Sequence, residues 1–264
     1  MGIEVIPKSS ILGGDKQGMK KIFCITFFDE YDEVLNTTQN IKSSFGEESS
    51  IVLVNSECED GDEATLSQII ERSDFYKKVE NLYSKHSRFR FNSHSVSRNS
   101  NILFNHVYEN FPTFDYVVFL FGDTMVTDAS NFDRRFNEMK KANKSFIAAQ
   151  AIGQEFHSPT ANPESGMNGG RFQHKYTTDI MPQYILIDGE FARDKRVLAN
   201  VKNTNELTVE QCMGDAILES LENDIELFHK NLYLLNGDSP DNAYYYRDGI
   251  IYNAKDQQWK PATV

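Results

Sequence analysis

The 264-residue sequence predicts an α/β fold with a mainly parallel central sheet. Three observations carry this prediction. Apolar runs of strand length alternate with longer stretches of helical period. The runs "KIFCITFF" (21–28), "SSIVLVNSE" (49–57) and "DYVVFLFGD" (115–123) all end in polar residues. Ligands of such sheets bind beyond the C-terminal ends of the strands, so polar groups gathered there suggest a site.

The elements follow in order. "KIFCITFF" reads as a first buried strand, and 29–45 as a helix with Val34, Leu35 and Ile41 on one side. "SSIVLVNSE" is a second strand, and 60–73 a helix carrying Leu66, Ile69 and Ile70. Residues 79–99 are polar and rich in Arg and His, and a further helix is expected over 100–111. The strand ending at Gly122-Asp123 comes next, then a helix with Phe132, Phe136 and Met139 on one face, capped by Ser130. "SFIAAQAIG" (145–153) and "MPQYILIDGEF" (181–191) read as strands around a long loop with two prolines and three glycines. A loop of that length is expected to be a functional lid or disordered. Thr208 and Gln211 fit a capping box. Residues 224–238 and 242–253 look strand-like, the latter a hairpin around Asp248-Gly249.

Composition narrows the classes. The formal charge is −12, which argues against a nucleic-acid partner, since such proteins carry a basic face. No stretch approaches the ~18 apolar residues a transmembrane span needs. No secretory h-region opens the chain, and Ile6 breaks the myristoylation pattern. Cys24, Cys58 and Cys212 are far apart, with no zinc-ligand spacing. A cytoplasmic location is expected. Residues 1–20 are expected to be a flexible leader, 21–130 a ligand-binding half, and 131–264 a second half of the same domain.

The order of these signals resembles GT-A fold glycosyltransferases, particularly the family 2-like group. In that group a first strand leads into a Thr-x-aromatic turn with a Glu; here it reads "ITFFDE", with Thr26, Phe28 and Glu30. A second strand ends in a polar turn, here "VLVNSECEDGDE". An "ARN" element precedes a helix, here Arg98-Asn99 in "VSRNSNILFNHVYE". A strand carrying a DxD metal motif follows, here "DYVVFLFGD" with Gly122 and Asp123, where Phe121 replaces the first acid.

The resemblance implies a GT-A, Rossmann-like nucleotide-sugar-binding fold, with 21–130 as the nucleotide-sugar half and 131–264 as the acceptor half. It implies a metal-dependent, inverting transfer from a UDP- or GDP-sugar to a glycan or glycoconjugate acceptor. Asp123 would hold Mn²⁺ or Mg²⁺, and oxygen ligands suit both ions; loop chemistry alone favours a turn acid, and the order of the surrounding motifs reverses that preference. Thr26, Phe28, Glu30 and Asn55 would form the nucleoside pocket; the plain alternative puts Phe28 in the core and Glu30 on a solvated helix face. Arg98 and Asn99 would meet the diphosphate, backed by a basic patch of His86, Arg88, Arg90 and His94; the alternative is an exposed basic loop. Asp215, at a helix mouth if the helix restarts at Gly214, would be the catalytic base, with Glu210 the other candidate; a helix starting at Thr208 leaves Asp215 a solvent-facing acid. His229 would be a second metal ligand, against a purely structural histidine. The loop 153–180, with His157, Arg171 and His174, would cover the acceptor.

A second reading is a catalytically silent GT-A-like carbohydrate-binding or assembly protein. A sugar nucleotidyltransferase ranks lower, because no Gly-rich phosphate loop follows the first strand. No G-x-G-x-x-G supports a dehydrogenase, and no G-x-S-x-G a hydrolase.

Overall fold

A computed structural model describes residues 20–56, 63–80, 93–150, 180–202, 209–234, 246–247 and 250–251. The expected leader therefore lies outside the described residues except for Lys20, as does most of the long loop.

Within them the chain forms β1 (Lys21–Phe27), α1 (Tyr31–Phe45), β2 (Ser49–Asn55), α2 (Glu63–Glu71), β3 (Phe75–Lys78) and α3 (Ser93–Asn110). Then come β4 (Tyr116–Phe121), β5 (Met125–Val126), α4 (Asn131–Lys141), β6 (Phe146–Gln150), β7 (Ile180–Asp188) and α5 (Gly189–Lys195). The remainder is α6 (Val209–Ser220), α7 (Ile225–Asn231), β8 (Leu232–Leu234), β9 (Tyr246–Arg247) and β10 (Ile250–Ile251).

Seven strands make one sheet in the order β3-β2-β1-β4-β7-β6-β8. β1 is parallel to both β2 and β4, and β2 to β3. β7 is antiparallel to its neighbours β4 and β6, while β6 and β8 are parallel. The predicted mixed, mainly parallel α/β architecture is therefore present. The sheet runs through both predicted halves of the chain.

Both faces of the sheet are covered, which is why its strands read as continuous apolar runs. The two-residue side-chain period divides each strand between two cores. Ile22, Cys24, Val117, Phe119 and Phe121 face α3, α5, α6 and α7. Phe23, Ile25, Phe27, Val118 and Leu120 face α1, α2 and α4. Phe132, Phe136 and Met139 fill the second core from α4, as their spacing predicted.

Several elements differ from the sequence reading. β3 was missed because it is only four residues long and carries two lysines; as the edge strand it buries little, and lysines discourage edge-to-edge pairing. α3 begins at Ser93, so Arg98 and Asn99 lie within a helix instead of before it. Residues 225–231 are helical, not extended: the Asp224 side chain accepts from Leu227 N at 2.9 Å and starts α7. Ser130 does not cap α4 with its hydroxyl. Instead Asp128 Oδ1 accepts from Ser130 N at 3.0 Å, and Asp128 Oδ2 from Asn131 Nδ2 at 3.0 Å. Ile70, expected on the packed face of α2, is 37% exposed. No helix among the described residues is long and apolar enough to cross a membrane.

Candidate functional site

Chain order reverses beside β1: β2 and β3 lie on one side, β4 and all later strands on the other. Such a switch point leaves a crevice at the C-terminal ends of the two central strands. The residues there are Thr26–Phe28 from β1 and Phe121–Asp123 from β4.

The turn holding Asp123 is fixed from three directions. Gly122 N donates to Thr26 O at 2.7 Å, continuing the ladder past the end of β4. Thr124 N donates to Phe121 O at 2.9 Å, closing a β-turn with Asp123 at its third position. The Thr37 hydroxyl of α1 donates to Thr124 O at 3.2 Å and accepts from Val126 N at 2.9 Å. Asp123 is thus a turn residue in geometry, yet it is partly exposed and stands at the switch point, with its Oδ1 buried. β5 follows at once and pairs with β10, which pairs with β9, so the C-terminal hairpin returns to this rim. The expected hairpin around 248–249 is therefore present in its flanking strands.

On the β1 side, Phe28 and Glu30 are each 4% exposed, so Glu30 does not begin a solvated helix face. Its Oε2 accepts from Phe28 N at 2.8 Å and Asp29 N at 3.2 Å, locking the chain as it leaves β1. Gly122 packs directly beneath this turn. A Cβ there would meet Glu30 Oε2 and the Phe27 backbone as well as its Cβ.

Asn99 is the hub of the crevice floor. Its amide donates to Thr26 Oγ1 at 2.8 Å and to Ser56 Oγ at 2.5 Å, joining α3 to the ends of β1 and β2. Asn99 is 1% exposed. It holds the walls of the site instead of reaching into it. Ser56 was not singled out from the sequence, because a serine after a strand carries no distinctive pattern. Asn55 is fully buried; its amide donates to Tyr76 Oη at 3.4 Å, and its Oδ1 has no hydrogen-bond partner. The structure thus brings Thr26, Phe28, Glu30, Asn55, Asn99, Gly122 and Asp123 to one end of the sheet.

The other expected site residues lie on helices. Arg98, beside Asn99 on α3, lines a groove between α3 and β3. Asp215 sits mid-helix, because α6 runs unbroken through Gly214 from Val209 to Ser220; no helix mouth forms there. The Glu210 side chain lies outside the described residues.

His229 is on α7, next to Phe228, whose ring packs at 5.2 Å on Phe146, the first residue of β6. β6 runs with β4, so this is the opposite end of the sheet from Asp123. β8, which follows α7, is three strands from β4, about 14 Å across the sheet. His229 and Asp123 cannot share an ion. Burial lowers the His229 pKa and its Nε2 has no hydrogen-bond partner, which fits a structural histidine. His86, Arg88, Arg90 and the residues 153–179 lie outside the described residues, as does the His94 side chain.

Among the described residues no group of three or more His, Cys, Asp and Glu side chains could hold a metal. An all-protein cage therefore does not form there. Asp123 alone fits an ion whose other ligands are diphosphate oxygens and water, the pattern Mg²⁺ adopts readily.

No family model matches the chain, and no curated protein matches its sequence. Among solved structures it is similar to a mannosyltransferase from Pyrobaculum calidifontis in complex with GDP-Man and Mn²⁺, at 10% identity and TM-score 0.43, covering 76% of this chain and 52% of that one. It is similar to S. aureus TarS 1–349 in complex with UDP, at 12% identity and TM-score 0.48, covering 87% of this chain and 60% of that one. It is also similar to the apo WbbM bifunctional glycosyltransferase, at 14% identity and TM-score 0.42, covering 85% and 40%. The matched part thus spans from two fifths to three fifths of each of these proteins. These neighbours are glycosyltransferases; the fold itself rests on this chain's own strand order, a seven-stranded, mainly parallel sheet between two layers of helices.

Proposed function

We propose that the chain is a glycosyltransferase that moves a sugar from a nucleotide-diphosphate donor to a glycan or glycoconjugate acceptor, with inversion. The observation that carries this reading is the position of Asp123: a partly exposed acid at the switch point between β1 and β4, in a turn braced by Thr26, Thr37 and the β-turn bond. The donor nucleoside lies over the ends of β1 and β2, above the turn at Asp29, with Phe28, Glu30 and Asn55 buried beneath it. Thr26, Asn99 and Ser56 keep these strand ends in register. A bound Mn²⁺ or Mg²⁺ would stabilise charge building on the departing diphosphate. Asp123 would hold that ion, and Asp215 stands as the candidate base on α6.

Two observations favour a second reading, a catalytically silent GT-A-like carbohydrate-binding or assembly protein. An aromatic residue, Phe121, fills the place of the first acid and is buried in the core. Asp215 stands mid-helix. Calorimetry with UDP and GDP, with and without Mn²⁺, joined to donor-sugar hydrolysis assays, separates the two. A transferase binds one nucleotide with metal and slowly hydrolyses its sugar; a silent protein binds without hydrolysis. Asp123→Ala should abolish metal-dependent binding while the urea midpoint stays put. Unchanged turnover in that variant would overturn the assignment of the ion.

A further inference from the structure

We propose that the groove between α3 and the β3 edge is a second site, one that binds an anionic phosphate or carboxylate group against Ser97, Arg98 and Lys77. This goes beyond the transfer reaction and does not depend on it.

The groove is bounded by Phe75 and Lys77 of β3, by one face of α3 from Ser97 to Glu109, and by Val201. Two of its polar groups are buried without partners. Ser97 is 2% exposed, and its Oγ has no hydrogen-bond partner. Arg98 Nη2 is also buried and without a partner. Arg98 donates through Nε to Asn99 Oδ1 at 3.4 Å, a long contact that leaves the rest of the guanidinium uncommitted. In a chain of net charge −12, no carboxylate among the described residues comes within ion-pair distance of it; Glu80 acts only from farther away. Burial lowers the Arg98 pKa. Buried donors without partners are rare in folded proteins and are expected where a ligand completes them.

The surroundings are already tied in place. Asn101 Oδ1 accepts from Val201 N at 2.6 Å and its amide donates to Val201 O at 3.0 Å. Asn105 donates to Ala199 O at 2.9 Å. The Phe75 and His106 rings stack at 3.8 Å. These groups spend their polar atoms on the frame, so the donors left for a ligand are at the Arg98 end. Glu109, the groove's acid, lies eleven residues further along the helix, about 16 Å away. The charge gradient therefore places an anion beside Arg98, where a planar guanidinium can offer two parallel N–H bonds.

The test is a titration of the ¹⁵N-labelled chain with inorganic phosphate, without metal or nucleotide, followed by amide resonances. The amides of Lys77, Ser97 and Arg98 should shift on one saturating curve. Arg98→Gln and, independently, Ser97→Ala should weaken that binding, the former by about tenfold, as expected for a lost charge-assisted bond. Repeating the titration with a sugar phosphate and with a uronate identifies the source: tighter binding than phosphate marks a charged saccharide, equal binding a free anion. Shifts that never saturate, or saturation unchanged in both variants, would overturn the proposal. So would displacement of phosphate by UDP or GDP with Mn²⁺, since the groove would then be part of the donor site. Because the titration contains no donor, its failure leaves the transferase reading standing.

Discussion

Gly122 lies so close to Phe27 that a Cβ on residue 122 would stand 2.4 Å from the Phe27 Cβ. The same atom would be 2.8 Å from Glu30 Oε2 and 3.0 Å from Phe27 Cα. Backbone on one side and a committed carboxylate on the other leave little room to give. Gly122→Ala should therefore destabilise the fold by about 2 kcal/mol, the usual cost of overpacking. A lowered urea midpoint at unchanged slope is the expected result.

Phe121 stands where the related motif has its first acid, and the fold has absorbed it. Its ring meets Phe119 edge-on at 5.6 Å in the core shared with α3. Phe121→Asp restores the letter of the motif but removes a packed ring and buries a charge. A loss of about 3 kcal/mol or more is expected, with no gain in metal-dependent nucleotide affinity by calorimetry.

Asn99→Ala removes both donors that join α3 to the ends of β1 and β2. The two lost bonds, with the stranded Thr26 and Ser56 hydroxyls, should cost about 2 kcal/mol. Donor affinity should fall with stability in this variant. Asp123→Ala separates the two, losing metal-dependent binding alone, and measuring both proteins side by side distinguishes a wall of the site from a ligand to the ion.

His229→Gln should bind Mn²⁺ and nucleotide as the unmodified chain does, because its place is at the far end of the sheet. It should instead alter the acid side of the stability profile. Burial lowers the native His229 pKa, so the unfolded chain takes up a proton first as pH falls through its ordinary value of 6.5. Stability is full above that value and is lost as pH drops toward the depressed native pKa. Gln cannot titrate, so denaturant midpoints of the variant should fall less between neutral and mildly acid pH.

Much of the fold was legible because both faces of the sheet are buried. Runs such as 116–121 have no polar interruption, and α4 shows its buried face as Phe132, Phe136 and Met139. Short elements were not legible: Phe75–Lys78 has too few residues to show a period, and Asp224 gives only a one-residue cue that 225–231 turn into a helix. The site split in the same way. Positions fixed by strand ends, Thr26 and Asp123, could be read from the chain order. His229 could not be placed, since which end of the sheet it occupies depends on the direction of β6 and β8.

The reversed direction of β7 has a consequence for how such a protein can diverge. Gln150 closes β6 and pairs across to Ile180 at the opening of β7, so the segment between them starts and ends at neighbouring points of the rim that carries Asp123. Lengthening a closed segment costs little, about 0.6 kcal/mol per doubling. New partners can thus be accommodated by rewriting that stretch, while the strands that position the aspartate go untouched.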